Sequence, residues 1–508
     1  MKIFKYALFA VGGLIVVIGA VLAYAAATFD PNQYKPQIVR AVKDKTQRTL
    51  KLDGEIKLSL FPSVGGRMGK ATLSERASDK EFAGLEEMRI AVKLLPLLSR
   101  RVVVDAVEVK NLRADIVRFK DGKTNVDDLA GGGGKAAPAP RGAEAQFMID
   151  IDHVLIENSA LTFTDQSAGA KYALSKVNLK TGRIASGVPT NVELAFAAHS
   201  DTPRLDLETA LKTRLTFDLE KQRYVLDGLD LNAKGTAAGF SNLVVSAKGD
   251  VDARPATKEF SASKLAVAVT GKQAGGDLNV KFALPKLNIT KDKVSGDRIT
   301  LDAAMSEAKS KLTAKVEIPA IEGTAKAFQA GQMTANLDMQ QEGVTVKAKI
   351  TSPLAGSVEM ERIELAKLVA TVNVNNPKLP KNRIAATING AAQADFAKQT
   401  ASLTFATRFD DSNISGRAGL AKFTPPFYTF DINIDQLDAD RYLPKTDPKA
   451  KPEQPFDFSA LKGLNATGSI KIGSLKAANL KASNVRIDVT KQKVEQAVKG
   501  KLGVMRDR

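Results

Sequence analysis

Phe427-Tyr428-Thr429-Phe430-Asp431-Ile432-Asn433-Ile434 is the stretch that decides the fold. Tyr428, Phe430, Ile432 and Ile434 alternate with Thr429, Asp431 and Asn433, the two-residue period of a strand with one apolar and one polar face. The period recurs outward from there. Leu403, Phe405, Thr407 and Phe409 repeat it, as do Val344, Val346, Ala348 and Ile350, and Met333, Ala335, Leu337 and Met339. Further back lie Leu312, Ala314, Val316 and Ile318, and then Leu215, Phe217 and Leu219 against Thr216, Asp218 and Glu220. Such alternation predicts antiparallel sheet, because parallel strands covered on both faces read as unbroken apolar runs. Helical periods are few: residues 36–46 behind Pro36, residues 81–98, and a tail over 491–504. Between the first two, Leu50, Leu52, Ile56 and Leu58 alternate across Asp53-Gly54, a strand or hairpin signal.

The start of the chain is different. Residues 6–27 read YALFAVGGLIVVIGAVLAYAAA without a charge. As a helix they rise about 33 Å, enough for a bilayer core. Lys2, Lys5 and Ala23-Tyr24-Ala25 also fit a cleaved secretory signal, but the apolar run outlasts a normal signal core, so the expectation is a retained single-pass anchor. Lys35, Arg40, Lys43 and Lys45 outnumber Lys2 and Lys5, which by simple counting places the body in the cytoplasm. Lys2 and Lys5, however, abut the apolar run, and long C-terminal domains cross largely regardless of charge. The expectation is a body outside the cytoplasm.

Composition narrows the function classes. With 508 residues, of which 44% are hydrophobic, the chain can build a large core. No cysteine is present, which excludes disulfide staples, thiol catalysis and Cys-ligated metals. A net charge of +18 calls for an anionic neighbour, whether nucleic acid, a phospholipid surface or lipopolysaccharide. Because the basic residues are scattered and not interleaved with aromatics, nucleic acid is disfavoured and membrane phosphates are the simpler partner. An outer-membrane barrel is disfavoured as well, since 6% aromatics without Trp supply its girdles poorly.

Catalytic signatures fail one by one. Gly134-Lys135 ends like a phosphate loop, but Ala136 stands where Ser or Thr is required. Ser261-x-x-Lys264 and Lys180-Thr181-Gly182 stand in the wrong order for a penicillin-binding enzyme. Asp230-x-Asn232 begins like a calcium loop, and Lys234 and Ser241 then occupy ligand positions. His153 and His199 lack metal-ligand spacing. The reading is a non-enzyme without cofactor or metal.

Several blocks together carry a family resemblance. Phe29-Asp30-Pro31-Asn32-Gln33-Tyr34-Lys35-Pro36-Gln37-Ile38 follows the apolar run, and Leu52-x-Gly54-x-Ile56-x-Leu58-Ser59-Leu60-Phe61-Pro62 follows that. Leu94-Leu95-Pro96-Leu97-Leu98, the strand 102–109, and Asp121-Gly122-Lys123-Thr124-Asn125 with Asp128-Leu129 come next. Later stand Ile156-Glu157-Asn158-Ser159-Ala160-Leu161-Thr162-Phe163-Thr164-Asp165 and Asp438-Ala439-Asp440-Arg441-Tyr442-Leu443-Pro444. The combination resembles the AsmA family of Gram-negative inner-membrane proteins. Two departures stand out: Val126 replaces a frequent aromatic, and the family pattern usually runs on past Val485 to Val489.

The resemblance implies an inner-membrane anchor and a periplasmic β-rich body, similar to larger relatives thought to carry phospholipid and resembling chorein-type transporters with an apolar groove. The expected architecture is therefore mainly β, a transmembrane helix followed by an elongated, curved antiparallel sheet shaped as a groove. Its parts are an anchor at 1–28, an AsmA-like (chorein-like) region at 29–130, a linker at 131–145, an elongated sheet region at 146–444, a linker at 445–457, and a C-terminal segment at 458–508 that is short for the family. The expected function is binding or conducting phospholipid in outer-membrane biogenesis, with lipopolysaccharide and unknown envelope proteins as further partners. A structural β-scaffold of the envelope is the alternative. The expected groove residues are Leu215, Phe217, Leu219, Leu403, Phe405, Phe409, Tyr428, Phe430, Ile432 and Ile434.

Overall fold

Two compact units divide the chain, Met1–Val251 and Asp252–Arg508, with the strand Phe240–Arg254 running across the division. The computed structural model describes residues 30–59, 63–94, 96, 103–129, 150–273, 275–377, 382–442, 465–477 and 480–489. The apolar stretch 6–27, the linkers expected at 131–145 and 445–457, and the tail helix expected at 491–504 lie outside them. Among the described residues, no helix is long and apolar enough to cross a membrane.

The helix expected at 36–46 is present as Lys35–Thr46, entered through the 3-10 turn Pro31–Tyr34. Asp30 starts that turn by accepting the Asn32 backbone N–H at 2.9 Å. Gln47 stops the helix in the left-handed region, and from there the described residues are mostly strand. Leu50–Leu52 and Ile56–Ser59 form one interrupted strand against Ala71–Ser74 and Ser63–Met68. Asp53-Gly54 is therefore not a hairpin turn. It marks the interruption, where the Lys70 backbone comes so close that no side chain fits at Gly54.

The helix expected at 81–98 is corrected too: the chain forms strands Glu81–Leu85 and Glu87–Lys93, and among the described residues of this stretch only Leu94 and Pro96 are helical. Glu86-Glu87-Met88-Arg89 suits a helix locally, but Met88 and Ile90 pair with Val109 and Val107 on the neighbouring strand. Sheet partners override a weak propensity.

Within each unit, pairing keeps a register that places apolar residues opposite apolar residues, and opposed residues share a face. In Met1–Val251 one such row starts with Ile56, Met68, Met88 and Val109. It continues through Ile156, Leu179, Leu194, Leu211 and Leu231. In Asp252–Arg508 a second row starts with Val267, Phe282, Leu301, Val316 and Ala335. Ile350, Ala370, Ile388 and Thr407 carry it on, and Ile414, Ile434, Ile472 and Val485 complete it. Thr407 is the single polar member of that row.

Two junctions depart from the expected antiparallel order. Val154–Asp165 lies parallel to Val104–Lys110 and Arg113–Arg118, and Ala466–Ala477 lies parallel to Phe427–Asp438. Parallel neighbours need a long connection, and the chain supplies one at each junction, over 119–153 and 439–465. Both contain an expected linker. The core is thin. The deeply buried apolar residues are mostly small, such as Ala91, Ala106, Ala262 and Ala466, while the large side chains of the apolar rows are mostly half-buried.

Candidate functional site

Six neighbouring strands of Asp252–Arg508 shape a cleft of about 780 Å³ on the apolar face, open to solvent. Arg362–Asn375 contributes Ile363 and Leu365, Arg383–Asp395 contributes Ala392 and Ala394, and Thr400–Phe409 contributes Leu403. Leu420, Tyr428, Phe430 and Ala466 complete the apolar wall. Register explains the grouping: Ala394 faces Ile363 and Ala401, Ala401 faces Leu420, and Leu420 faces Tyr428. Alongside runs a second row, in which Ala392 faces Leu365 and Leu403, Leu403 faces Ala418, and Ala418 faces Phe430. Small residues opposite large ones leave the volume. At Gly468, beside Phe430, an added Cβ would stand 2.1 Å from the Phe430 carbonyl oxygen and 2.6 Å from its ring, so only glycine fits the close parallel junction there.

The expected groove residues divide among several places. Leu403, Tyr428 and Phe430 line the cleft. Phe405 faces Gly416, which faces Ile432, and Ile434 faces Ile414, so these continue the same face away from the cleft. Phe409 ends its strand and packs on Tyr442 with ring centroids 5.1 Å apart. Leu215 and Phe217 belong to the other unit, facing Leu226 and Tyr224. Leu219 is corrected: the strand Arg204–Asp218 stops before it, since Asp218 accepts the Lys221 N–H at 2.9 Å to close a turn, and Leu219 is left exposed.

Ile363, Leu365 and Leu420 were not singled out from sequence. A bulge between Leu365 and Leu368 shifts the period within their strand and blurs the alternation. Leu420 sits in a Gly- and Ala-rich stretch, Gly416 to Ala421, whose weak alternation hides it.

The reverse face is charged and wet. Asp431 accepts a 2.7 Å hydrogen bond from Ser469 Oγ, and this bond, with Lys471, Arg486 and Arg417 around it, holds the carboxyl below its usual range. Among the described residues no cluster of His, Asp and Glu is placed to hold a metal ion. His153 instead meets Glu108 at 3.2 Å. Burial opposes ionisation of Glu108, yet His153 and Arg89 hold its pKa down.

A second constellation lies in Met1–Val251. Arg48, fully buried, gives Nε and Nη2 to the two Asp128 oxygens, both at 2.8 Å, and Nη1 to the Ser74 carbonyl at 3.0 Å. Its guanidinium also lies 4.8 Å from the centre of the Phe82 ring. Asn125 closes the knot, donating to Glu75 and to the Asp115 carbonyl, both at 2.8 Å, while its Oδ1 accepts from Val117. The Arg48 bond, with burial opposing it, holds Asp128 below the usual carboxylate range. With four guanidinium hydrogen bonds aimed at protein acceptors, this knot is a clasp that joins the helix end to the segment 124–128.

The model of the AsmA family matches residues 1–454. Among curated proteins, the chain is similar to Protein AsmA of Escherichia coli (strain K12), 29% identical over 97 residues, a stretch covering 19% of this chain and 16% of that relative's length. No solved structure matches.

Proposed function

Because the chain belongs to the AsmA family, we propose that it is an envelope-assembly protein whose apolar sheet face binds, and passes along, the acyl chains of phospholipids. In this reading residues 6–27 anchor it in the inner membrane, the body lies in the periplasm, and each unit's sheet curves about its apolar face. The observation that carries the proposal is the register of Asp252–Arg508, which keeps one row, apolar except for Thr407, in line across thirteen strands with no second layer over it among the described residues. A single sheet with one apolar face must pack on something or hold something greasy. Leu337 and Tyr428 stay exposed on that face, and the cleft volume falls in the range of about 300–1,000 Å³ usual for ligand sites.

A photo-crosslinker distinguishes this from the envelope-scaffold reading. Placed at Phe430 it should capture phospholipid in cells; placed at Asp431, one residue along on the wet face, it should not. Equal labelling at both positions, or protein adducts alone from Phe430, would mean that the face is an ordinary packing surface.

A further inference from the structure

The strand ends beside the cleft carry a feature that holding an acyl chain does not require. Phe396, in the turn after Arg383–Asp395, is 50% exposed. Its ring meets Phe423, from the turn after Ser412–Lys422, edge-on with centroids 6.1 Å apart. Tyr428, 43% exposed, stands at the start of the strand that follows the Phe423 turn and lines the cleft. An exposed Phe396 set against the half-buried Phe423 of the adjoining turn, with exposed Tyr428 at the cleft, marks an interaction site.

The charges around them select the partner. Lys398 on the first turn and Lys422, the last strand residue before the second, are exposed. The acid of the same corner, Asp395, is buried beneath, accepting from the Lys398 backbone N–H at 2.9 Å and lying 3.4 Å from Arg362. Lys398 Nζ also comes within 3.6 Å of it. The outward surface is thus aromatic and cationic. The neighbouring turn, 358–361, bounds the patch: exposed Met360 sits between Glu359 and Glu361, and Lys258 pairs with Glu361 at 2.6 Å. At the far ends of the strands acid and base are paired off, Glu342 with Lys309 and Asp411 with Arg441, and no exposed ring pair accompanies them among the described residues.

We propose that this corner docks on an anionic phospholipid bilayer, with Phe396, Phe423 and Tyr428 at headgroup depth and Lys398 and Lys422 on lipid phosphates, so that the cleft opens at the acyl boundary. The inference rests on reading the cleft as an acyl-chain site. Aromatic rings favour the bilayer interface, and lysines near an anionic surface are attracted to it. A chain carrying +18 overall is drawn to such a surface in any case, and the exposed rings choose which corner meets it.

The absence of cysteine makes the test clean. Ala397→Cys on the docking turn and Ala308→Cys on the opposite rim are each labelled with an environment-sensitive fluorophore in the full-length chain, reconstituted in phosphatidylcholine nanodiscs. Separate vesicles are then added, of phosphatidylcholine alone or mixed with phosphatidylglycerol. The label at 397 should shift to the blue and be quenched by spin-labelled lipid with the anionic vesicles only, while the label at 308 stays in water. Adding Lys398→Gln and Lys422→Gln should weaken the response about 30-fold.

A label at 397 that stays in water, responds equally to both vesicle types, or moves together with that at 308 overturns the docking. So does a response to monomeric short-chain lipid without one to vesicles, which would leave acyl binding standing. A vesicle response at 397 without lipid capture at Phe430 would support the docking and sink the acyl-chain reading.

Discussion

The clasp around Arg48 and the cleft around Phe430 are both framed by β-strands, and they spend their side chains in opposite ways. At the clasp a fully buried cation gives four hydrogen bonds to Asp128, Ser74 and Asn125 and lies 3.8 Å from Glu75, so one geometry is specified. At the cleft the walls are mainly Leu, Ile, Phe, Tyr and Ala, the glycine beside Phe430 makes room, and apolar contact dominates what lies inside. Buried polar groups demand their partners, whereas apolar contact is non-directional. A surface that must accept a variable chain is better built the second way, and a joint that must hold the sheet's first strands is better built the first way.

The hardest way to break this contrast is Arg48→Ala. It strands Asp128 and leaves the Ser74 and Asn125 carbonyls without their donor, and removing one member of a buried pair costs about 3–5 kcal/mol. Hydrogen exchange should show lost protection at Thr49 and across Ala71–Ser74, and Arg48→Lys, keeping the charge without the fork, should recover only part. Unchanged protection in Arg48→Ala would show that the clasp fastens nothing.

Phe430→Glu attacks the other side. A charge at an apolar lipid contact costs about 2–3 kcal/mol, by analogy with the lipid face of a membrane barrel. Lipid recovered with the purified protein should fall by more than tenfold, while thermal unfolding barely moves because the open cleft lets the carboxylate reach water. If Phe430→Glu unfolds the sheet, the face is a dry core.

Acid gives a milder probe of the clasp. The folded-state pKa of Asp128 is depressed, so its contribution is fully present above the ordinary carboxylate value of about 3.9 and disappears as pH falls through the folded value. Hydrogen-exchange protection at Thr49 and Ser74 should therefore hold between neutrality and about pH 4 and decline below it. In Asp128→Asn the pH-dependent part of that decline should be missing.

How far these two regions could be read from the chain follows from their physics. The cleft is made by a period of two, so Leu403, Tyr428 and Phe430 are legible from their own neighbours, and Ile363 and Leu365 drop out where a bulge breaks the period. The clasp is long-range. Arg48 meets Asp128 across 80 residues, and nothing around Arg48 distinguishes it from any other basic residue after a helix. Asn125 and Asp128 do belong to a motif that stands out, but a motif does not name its partner. The misread helix at 81–98 and the misplaced Leu219 share one cause: local composition governs where strands could form, and cross-strand pairing or a turn carboxylate decides where they do.

The finest test compares two residues on the same apolar face. Ile472 is 6% exposed between Ile434 and Val485, so Ile472→Ala should cost about 2–5 kcal/mol, as truncation in a packed core does. Leu403 lines the cleft half-buried, with Ala392 and Ala418 as its cross-strand neighbours. Much of its side chain already borders open space, so Leu403→Ala removes little burial and creates no new enclosed void. A cost of about 1 kcal/mol follows, from the roughly half-sized transfer term alone. Denaturant unfolding of the two variants, monitored so that the transition of Asp252–Arg508 is seen separately, measures the difference. Equal losses would mean that Leu403 is covered in solution and that the cleft closes when nothing fills it. A small loss at Leu403 beside a large one at Ile472 would mean that this sheet keeps part of its apolar face open, at a cost in stability that bound lipid should repay by raising the transition temperature of the wild-type chain more than that of Leu403→Ala.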